Sequence, residues 1–152
     1  MTKKADFNAD DWSTVAEAPV LAGMRVVTAS RGGAIRESLA MGQVYAEARK
    51  EHGSSELLDA LVASPPAVDP GRLQQGPDVK AQIDERLRAA TSVLEATAAP
   101  EDAEAYKRFV VSVAEAAAKA HKEGGFVGIG GKEISPEEQA ALDEIRATLG
   151  LS

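Results

Sequence analysis

The spacing of apolar side chains in the second half of the chain is the feature that most limits its fold. Between residues 79 and 94 apolar residues recur at intervals of four, four, three and four, which places them on one face of an α-helix. A chain of 152 residues can bury one hydrophobic core behind such faces. The sequence therefore predicts an all-α fold. The residues of this first stripe are Val79, Ile83, Leu87, Ala90 and Leu94.

Helical periodicity or capping residues also mark most of the remaining chain. Together these segments predict a single domain, residues 1–152, with bundle-like or orthogonal packing of about six or seven helices. A Pro/Gly-rich stretch, residues 64–78, holds four of the seven prolines and is interpreted as a crossover loop within this domain. The further helices are expected near residues 8–18, 19–29, 35–53, 55–63, 101–122 and 135–150.

The break between the first two helices is predicted from Pro19. Proline has no backbone N–H and its ring disturbs a helix interior, whereas its fixed φ suits a first turn. One helix is therefore expected to end near Ala18 and another to begin at Pro19. The β-branched residues among 24–29 leave a short strand open as an alternative for that piece.

The inner faces of the other helices follow from the same periodicity. Residues 35, 39, 42 and 46 form the stripe expected in the third helix, and Ser135, Pro136 and Glu138 form a capping box at the start of the last. On the long helix of residues 101–122, the pairs Glu104–Arg108 and Glu115–Lys119 are expected on the outer side. Its inner side is predicted to carry Tyr106, Phe109, Val110, Val113, Ala117 and Ala120, and the inner face of the last helix is predicted to carry Leu142, Ile145 and Leu149.

Composition limits the functions that need consideration. The chain has 17 basic and 24 acidic residues, a net charge of −7, which disfavours binding to nucleic acid or to anionic membranes. Cysteine is absent, so disulfides and thiolate chemistry are excluded. The N-terminus lacks the apolar run of a secretory signal, and no charge-free stretch is long enough to span a membrane. A cytoplasmic protein is expected.

The string GGFVGIGGKEIS, which begins at Gly124, contains five glycines in twelve residues. It does not match the dinucleotide fingerprint, because its glycine spacing is wrong, or the P-loop, because no Gly-Lys-Ser or Gly-Lys-Thr follows. Read as a calcium loop, it places Val127, Ile129 and Gly131 where oxygen ligands are needed. A tight helix-to-helix connection is the interpretation we favour.

The two histidines carry no recognisable metal or catalytic signature. His52 and His121 each stand near a glycine at a predicted helix end, where an imidazole meets free carbonyls. Neither has a glutamate three residues before it, as helical metal sites often have. No catalytic, cofactor-binding or metal-binding residue is therefore predicted, and no cofactor. The weak candidates for polar contacts in an interhelical pocket are His121, Tyr106 and Arg31.

The ending GGFVGIGGKEISPEEQAALDEIRATLG resembles small uncharacterised helical proteins of high-GC bacteria. Its glycine turn followed by Ile134, Ser135 and Glu138 also faintly resembles the tellurite-resistance TerB-like domains. This second resemblance implies an all-helical, metal-associated or stress-associated module. The acidic residue that such a module has before its glycine turn is absent around residues 127–131.

These observations favour a non-enzymatic helical interaction protein, stress-associated or otherwise. Its partner is another protein or a second copy of the chain in a homodimer. A small-molecule binder or enzyme with an interhelical pocket is the first alternative. A TerB-like metal or stress-response module is the second.

Overall fold

A computed structural model describes residues 3–29, 34–50, 56–63, 79–124 and 136–151. Over these ranges the chain forms α-helices, preceded by one turn of 3-10 helix at Lys4–Asp6, and it contains no strand. The predicted all-α class is therefore confirmed. The helices are α1 (Ala9–Ala29), α2 (Ala34–Lys50), α3 (Glu56–Ala63), α4 (Val79–Thr97), α5 (Pro100–Gly124) and α6 (Pro136–Leu149).

Helices α1 and α5 form the centre of the bundle. They pack most extensively on each other, while α2 lies mainly on α5 and α4 mainly on α1. Helix α6 contacts α1, α4 and α5, and α3 packs against α2. All six α-helices contribute side chains to one hydrophobic cluster.

Helix α1 runs without a break through Pro19, so the predicted end near Ala18 is wrong. Its start agrees with the capping residues, because the Oδ1 atom of Asn8 accepts a hydrogen bond of 2.8 Å from the backbone N–H of Asp11. Residues 24–29 are helical as well, which excludes the alternative of a short strand.

The continuation of α1 has a physical cause that the local sequence does not contain. In a regular helix the N–H of residue 19 would donate to the carbonyl of Val15, and Pro19 has no N–H. The Tyr106 hydroxyl, on α5, instead donates a hydrogen bond of 2.6 Å to that carbonyl oxygen. A tertiary contact therefore satisfies the acceptor that proline leaves free, and the helix is able to continue.

The predicted inner stripe of α2 is wrong at the two positions whose side chains the structure describes. Gly42 is exposed and so is Ala46, whereas Met41 and Tyr45 are buried. The Tyr45 ring packs edge-on against Phe109 of α5, with ring centroids 5.2 Å apart and planes at 90°. The helix is rotated from the predicted phase because burying large side chains removes more apolar area from water than burying small ones.

The inner faces predicted in the second half are confirmed wherever side chains are described. On α4, Ile83 and the three following stripe residues are fully buried. On α5 and α6 the buried residues include Tyr106, Phe109, Val110, Val113, Ala117, Leu142, Ile145 and Leu149. The side chains of Val79, Lys119 and Ala120 lie outside the described part, as do the whole segments 64–78 and 125–135.

Helix α6 ends at Gly150, as its sequence predicts. Gly150 has φ of +78°, and its N–H donates to the carbonyl of Ala147 at 3.1 Å. The N–H of Leu151 donates to the carbonyl of Arg146 at 2.9 Å. This pair of bonds is the Schellman motif, which turns the chain sharply and directs Leu151 back along the bundle.

Candidate functional site

Two adjoining clefts open along the outer side of α5, beside the end of α6. Their volumes are about 380 Å³ and about 460 Å³, and they share Glu104 and Leu151. Together they form one depression, which we call the α5 groove. The lining residues of the first cleft are Glu104, Arg108, Val111, Ser112, Glu115, Arg146 and Leu151, and those of the second are Glu95, Ala98, Pro100, Ala103, Glu104, Lys107, Gly150 and Leu151.

The groove follows from helical spacing on α5 and from the turn that ends α6. Glu104, Arg108, Val111 and Glu115 follow one another at intervals of four, three and four, so they share a face of the helix. The Schellman turn brings Leu151 between the two clefts, where it is half-buried against the core. Val111 and Leu151 therefore supply an apolar floor to a depression with charged edges.

Each charged side chain that lines the groove is paired with one of opposite sign. Arg108 binds Glu104 at 2.5 Å within α5, and both side chains are more than half exposed. Arg146 of α6 binds Glu115 at 2.5 Å, while Lys107 lies 3.4 Å from Glu95 of α4. The groove thus has three acidic and three basic residues, and it is locally neutral on a chain whose net charge is −7.

Tyr106, a sequence-predicted pocket candidate, lies in the core and lines neither of these clefts. It is fully buried, and its hydroxyl is used by the Val15 carbonyl of α1. Burial raises its pKa well above the ordinary value, and the nearby Tyr45 raises it further. The hydroxyl therefore stays protonated and remains a hydrogen-bond donor.

The other two candidates cannot be placed beside it. Arg31 lies outside the described residues, and His121 belongs to α5 but its side chain is not described. Of the three candidates only Tyr106 is placed by the described residues, so a pocket shared by all three stays a prediction. His52 also falls outside the described ranges.

Tyr45 is a second buried tyrosine, with a different environment. Its hydroxyl has no hydrogen-bond partner among the described residues. Burial raises the pKa of this hydroxyl, because the phenolate form would lose its hydration. Tyr45 therefore contributes to the core mainly through its ring, which packs on Phe109.

The sequence interpretation missed a buried charge on α1. Arg25 is only 6 % exposed and binds Glu144 of α6 at 2.5 Å. Its Nε atom also lies 3.8 Å from Oδ1 of Asp84 on α4. The signal that could have revealed it is an arginine set in the apolar run of residues 20–27.

Metal-binding clusters and membrane-spanning helices are both absent from the described ranges. No group of three or more His, Cys, Asp or Glu residues there is arranged to hold a metal ion. Within the same ranges, no helix combines the length and the apolar character needed to cross a membrane.

The fold and the groove define this chain as an all-α protein whose central helix presents a cleft edged by ion pairs. Comparisons with protein-family models, with curated proteins and with solved structures found no match to it.

Proposed function

We propose that this protein is a non-enzymatic interaction protein that binds a protein partner across the α5 groove. The observation that carries this proposal is the composition of the groove, an apolar floor of Val111 and Leu151 bordered by paired charges. Protein interfaces typically combine an apolar centre with a polar rim, and arginine is enriched in them.

The charged groups of the groove are already paired with each other, and this favours a protein partner over a small substrate. Small-molecule sites usually hold a few polar groups that converge on the ligand. In the α5 groove the guanidinium groups of Arg108 and Arg146 instead point to neighbouring glutamates of the same chain. A large partner can cover these pairs without separating them, whereas a small anionic ligand would have to displace a glutamate.

The groove is also long enough for an extended contact. It reaches from Pro100 at the start of α5 to Glu115, four helical turns further on, at 1.5 Å per residue. A helix or strand of a partner could lie along this length and cover the half-buried Leu151.

A photo-crosslinking experiment tests the proposal. Ser112, which is exposed and lines the groove, would be replaced by benzoylphenylalanine, and exposed Gln43 on α2 would be replaced in a matched control. We expect irradiation to give protein adducts from position 112 and not from position 43. Adding Arg108→Glu should remove them, because that change places two carboxylates side by side at the edge of the groove.

Two outcomes would reject the proposal. One is an absence of protein adducts from position 112 at concentrations where the chain is folded. The other is the same set of adducts from both positions, which would indicate non-specific contact of an exposed side chain.

A further inference from the structure

We infer that the partner in the α5 groove is a second copy of this chain, related by a two-fold axis that runs between the two α5 helices, perpendicular to them and level with the space between Glu104 and Arg108. This inference rests on the proposed function and names the occupant of the same groove. It depends on charge complementarity between two identical faces.

Charge is distributed unevenly between the α5 groove and the rest of the chain. The chain carries a net charge of −7, so two copies repel each other over most approaches. The groove has equal numbers of acidic and basic side chains, so the whole net charge belongs to the rest of the chain. The groove is therefore a face on which a second acidic copy meets little repulsion.

The order of the charges along α5 allows the groove to pair with an identical groove. Glu104 and Arg108 lie one turn apart on the same face of α5, and their side chains are 56 % and 73 % exposed. A two-fold axis between them makes the two α5 helices antiparallel. Each Glu104 then also faces Arg108 of the other copy, so that the two existing pairs join across the axis in one cluster of four charges of alternating sign.

The contact between two copies would also cover apolar side chains of the α5 groove. Leu151 and Val111 lie beside the same ion pair and form the floor of the groove. Ala103 and Ala98 extend the apolar surface toward the start of α5. Val111 and Ala103 are already buried, so a second copy on this face would remove from water the exposed parts of Leu151 and Ala98, which favours association, and would leave the charged edges as a rim.

A charge-swap experiment tests the inference by sedimentation over a range of protein concentrations. The native chain should approach twice its mass of 15.9 kDa as concentration rises. Glu104→Arg alone and Arg108→Glu alone should each weaken association at least about tenfold, since each places like charges in both symmetry-related pairs. An equimolar mixture of the two variants should recover association as a heterodimer, because every facing pair is then opposite in charge.

Matched controls separate this geometry from a general effect of charge. Glu47→Arg and Lys50→Glu make the same changes in net charge on exposed positions of α2, which lines neither cleft. They should leave the dissociation constant within about twofold of the native value. Circular dichroism of each variant would show that the helical fold is retained.

The outcomes distinguish this inference from the function on which it rests. A native chain that stays monomeric up to about 0.5 mM, or a mixture of swapped variants that fails to associate, would overturn self-association. If position 112 crosslinks only to other proteins, the interaction function stands and the second copy is rejected. If it crosslinks to nothing, both fail together.

Discussion

At the scale of single residues, the two buried tyrosines differ in what their hydroxyl groups do. The Tyr106 hydroxyl donates to the carbonyl of Val15, which Pro19 leaves without its usual helical donor. The Tyr45 hydroxyl, at the α2–α5 contact, has no partner among the described residues. Because both rings are buried in the same hydrophobic cluster, a comparison of the two tyrosines separates the contribution of the Tyr106 hydrogen bond from that of ring burial.

Replacing Tyr106 by phenylalanine should lower the free energy of unfolding by about 1–3 kcal/mol, because the Val15 carbonyl would be buried without a partner. In a Pro19→Ala background the same replacement should cost at least about 1 kcal/mol less, since the N–H of the new alanine can donate to that carbonyl. Urea denaturation of the four chains of this double-mutant cycle measures the coupling.

The matched control is Tyr45→Phe, which removes a hydroxyl that makes no described hydrogen bond. It should leave stability unchanged or raise it slightly, because an unpaired polar group is removed from the interior. Zero coupling between positions 19 and 106, or an equal loss from both tyrosine replacements, would contradict the role assigned to the bond.

At the scale of secondary-structure elements, two helical glycines show how closely α1 and α2 approach. A Cβ atom built on Gly23 of α1 would lie 2.1 Å from the Sδ atom of Met41 on α2. A Cβ atom on Gly42 of α2 would meet nothing within 4 Å. The first glycine therefore permits a close helix contact, whereas the second only adds backbone freedom to the unfolded chain.

Gly42→Ala should raise the free energy of unfolding by about 0.5–1 kcal/mol, the usual gain for alanine in an exposed helix interior. Gly23→Ala should lower it by about 1–2 kcal/mol, because displacing the Met41 thioether costs more than the helix propensity gained. Thermal and urea unfolding of the two variants provide the measurement, and equal stabilisation by both would show that α2 moves away freely.

At the scale of the whole molecule, a buried arginine links three helices that are far apart in the sequence. Arg25 of α1 binds Glu144 of α6 and lies within ion-pair distance of Asp84 on α4. A second arginine pair, Arg108 with Glu104 within α5, is open, since the two side chains are 73 % and 56 % exposed. The two pairs allow a buried and an exposed ion pair to be compared within one fold.

Arg25→Leu should lower the free energy of unfolding by about 2–3 kcal/mol, because it takes the buried guanidinium away from the partly buried carboxyl of Asp84. Arg108→Leu, at a protein concentration where the chain is a monomer, should cost at most about 1 kcal/mol, as exposed pairs usually do. Chemical denaturation gives both values. A loss from Arg25→Leu no larger than that from Arg108→Leu would show that Arg25 does not hold α6 to α1 and α4.

Much of the bundle could be predicted from local sequence. The faces of α4, α5 and α6 and the end of α6 at Gly150 agree with prediction, because periodicity and capping depend only on near neighbours. The Glu104–Arg108 pair was predicted for the same reason. The α5 groove beside this pair was not predicted. Its floor includes Leu151, which follows a separate helix, α6, and reaches the groove only when the helices pack.

What the sequence by itself determined is the helical class and the inward face of most of the helices, through spacings of three and four residues. Only the tertiary structure decided that α1 passes through Pro19, that α2 turns Tyr45 inward, and that Arg25 is buried. Each of these three outcomes depends on a group that another helix supplies. The groups are the hydroxyl of Tyr106, the ring of Phe109 and the carboxylate of Glu144. Local propensity cannot contain such a contact, because the energy of the contact exists only once the helices are packed.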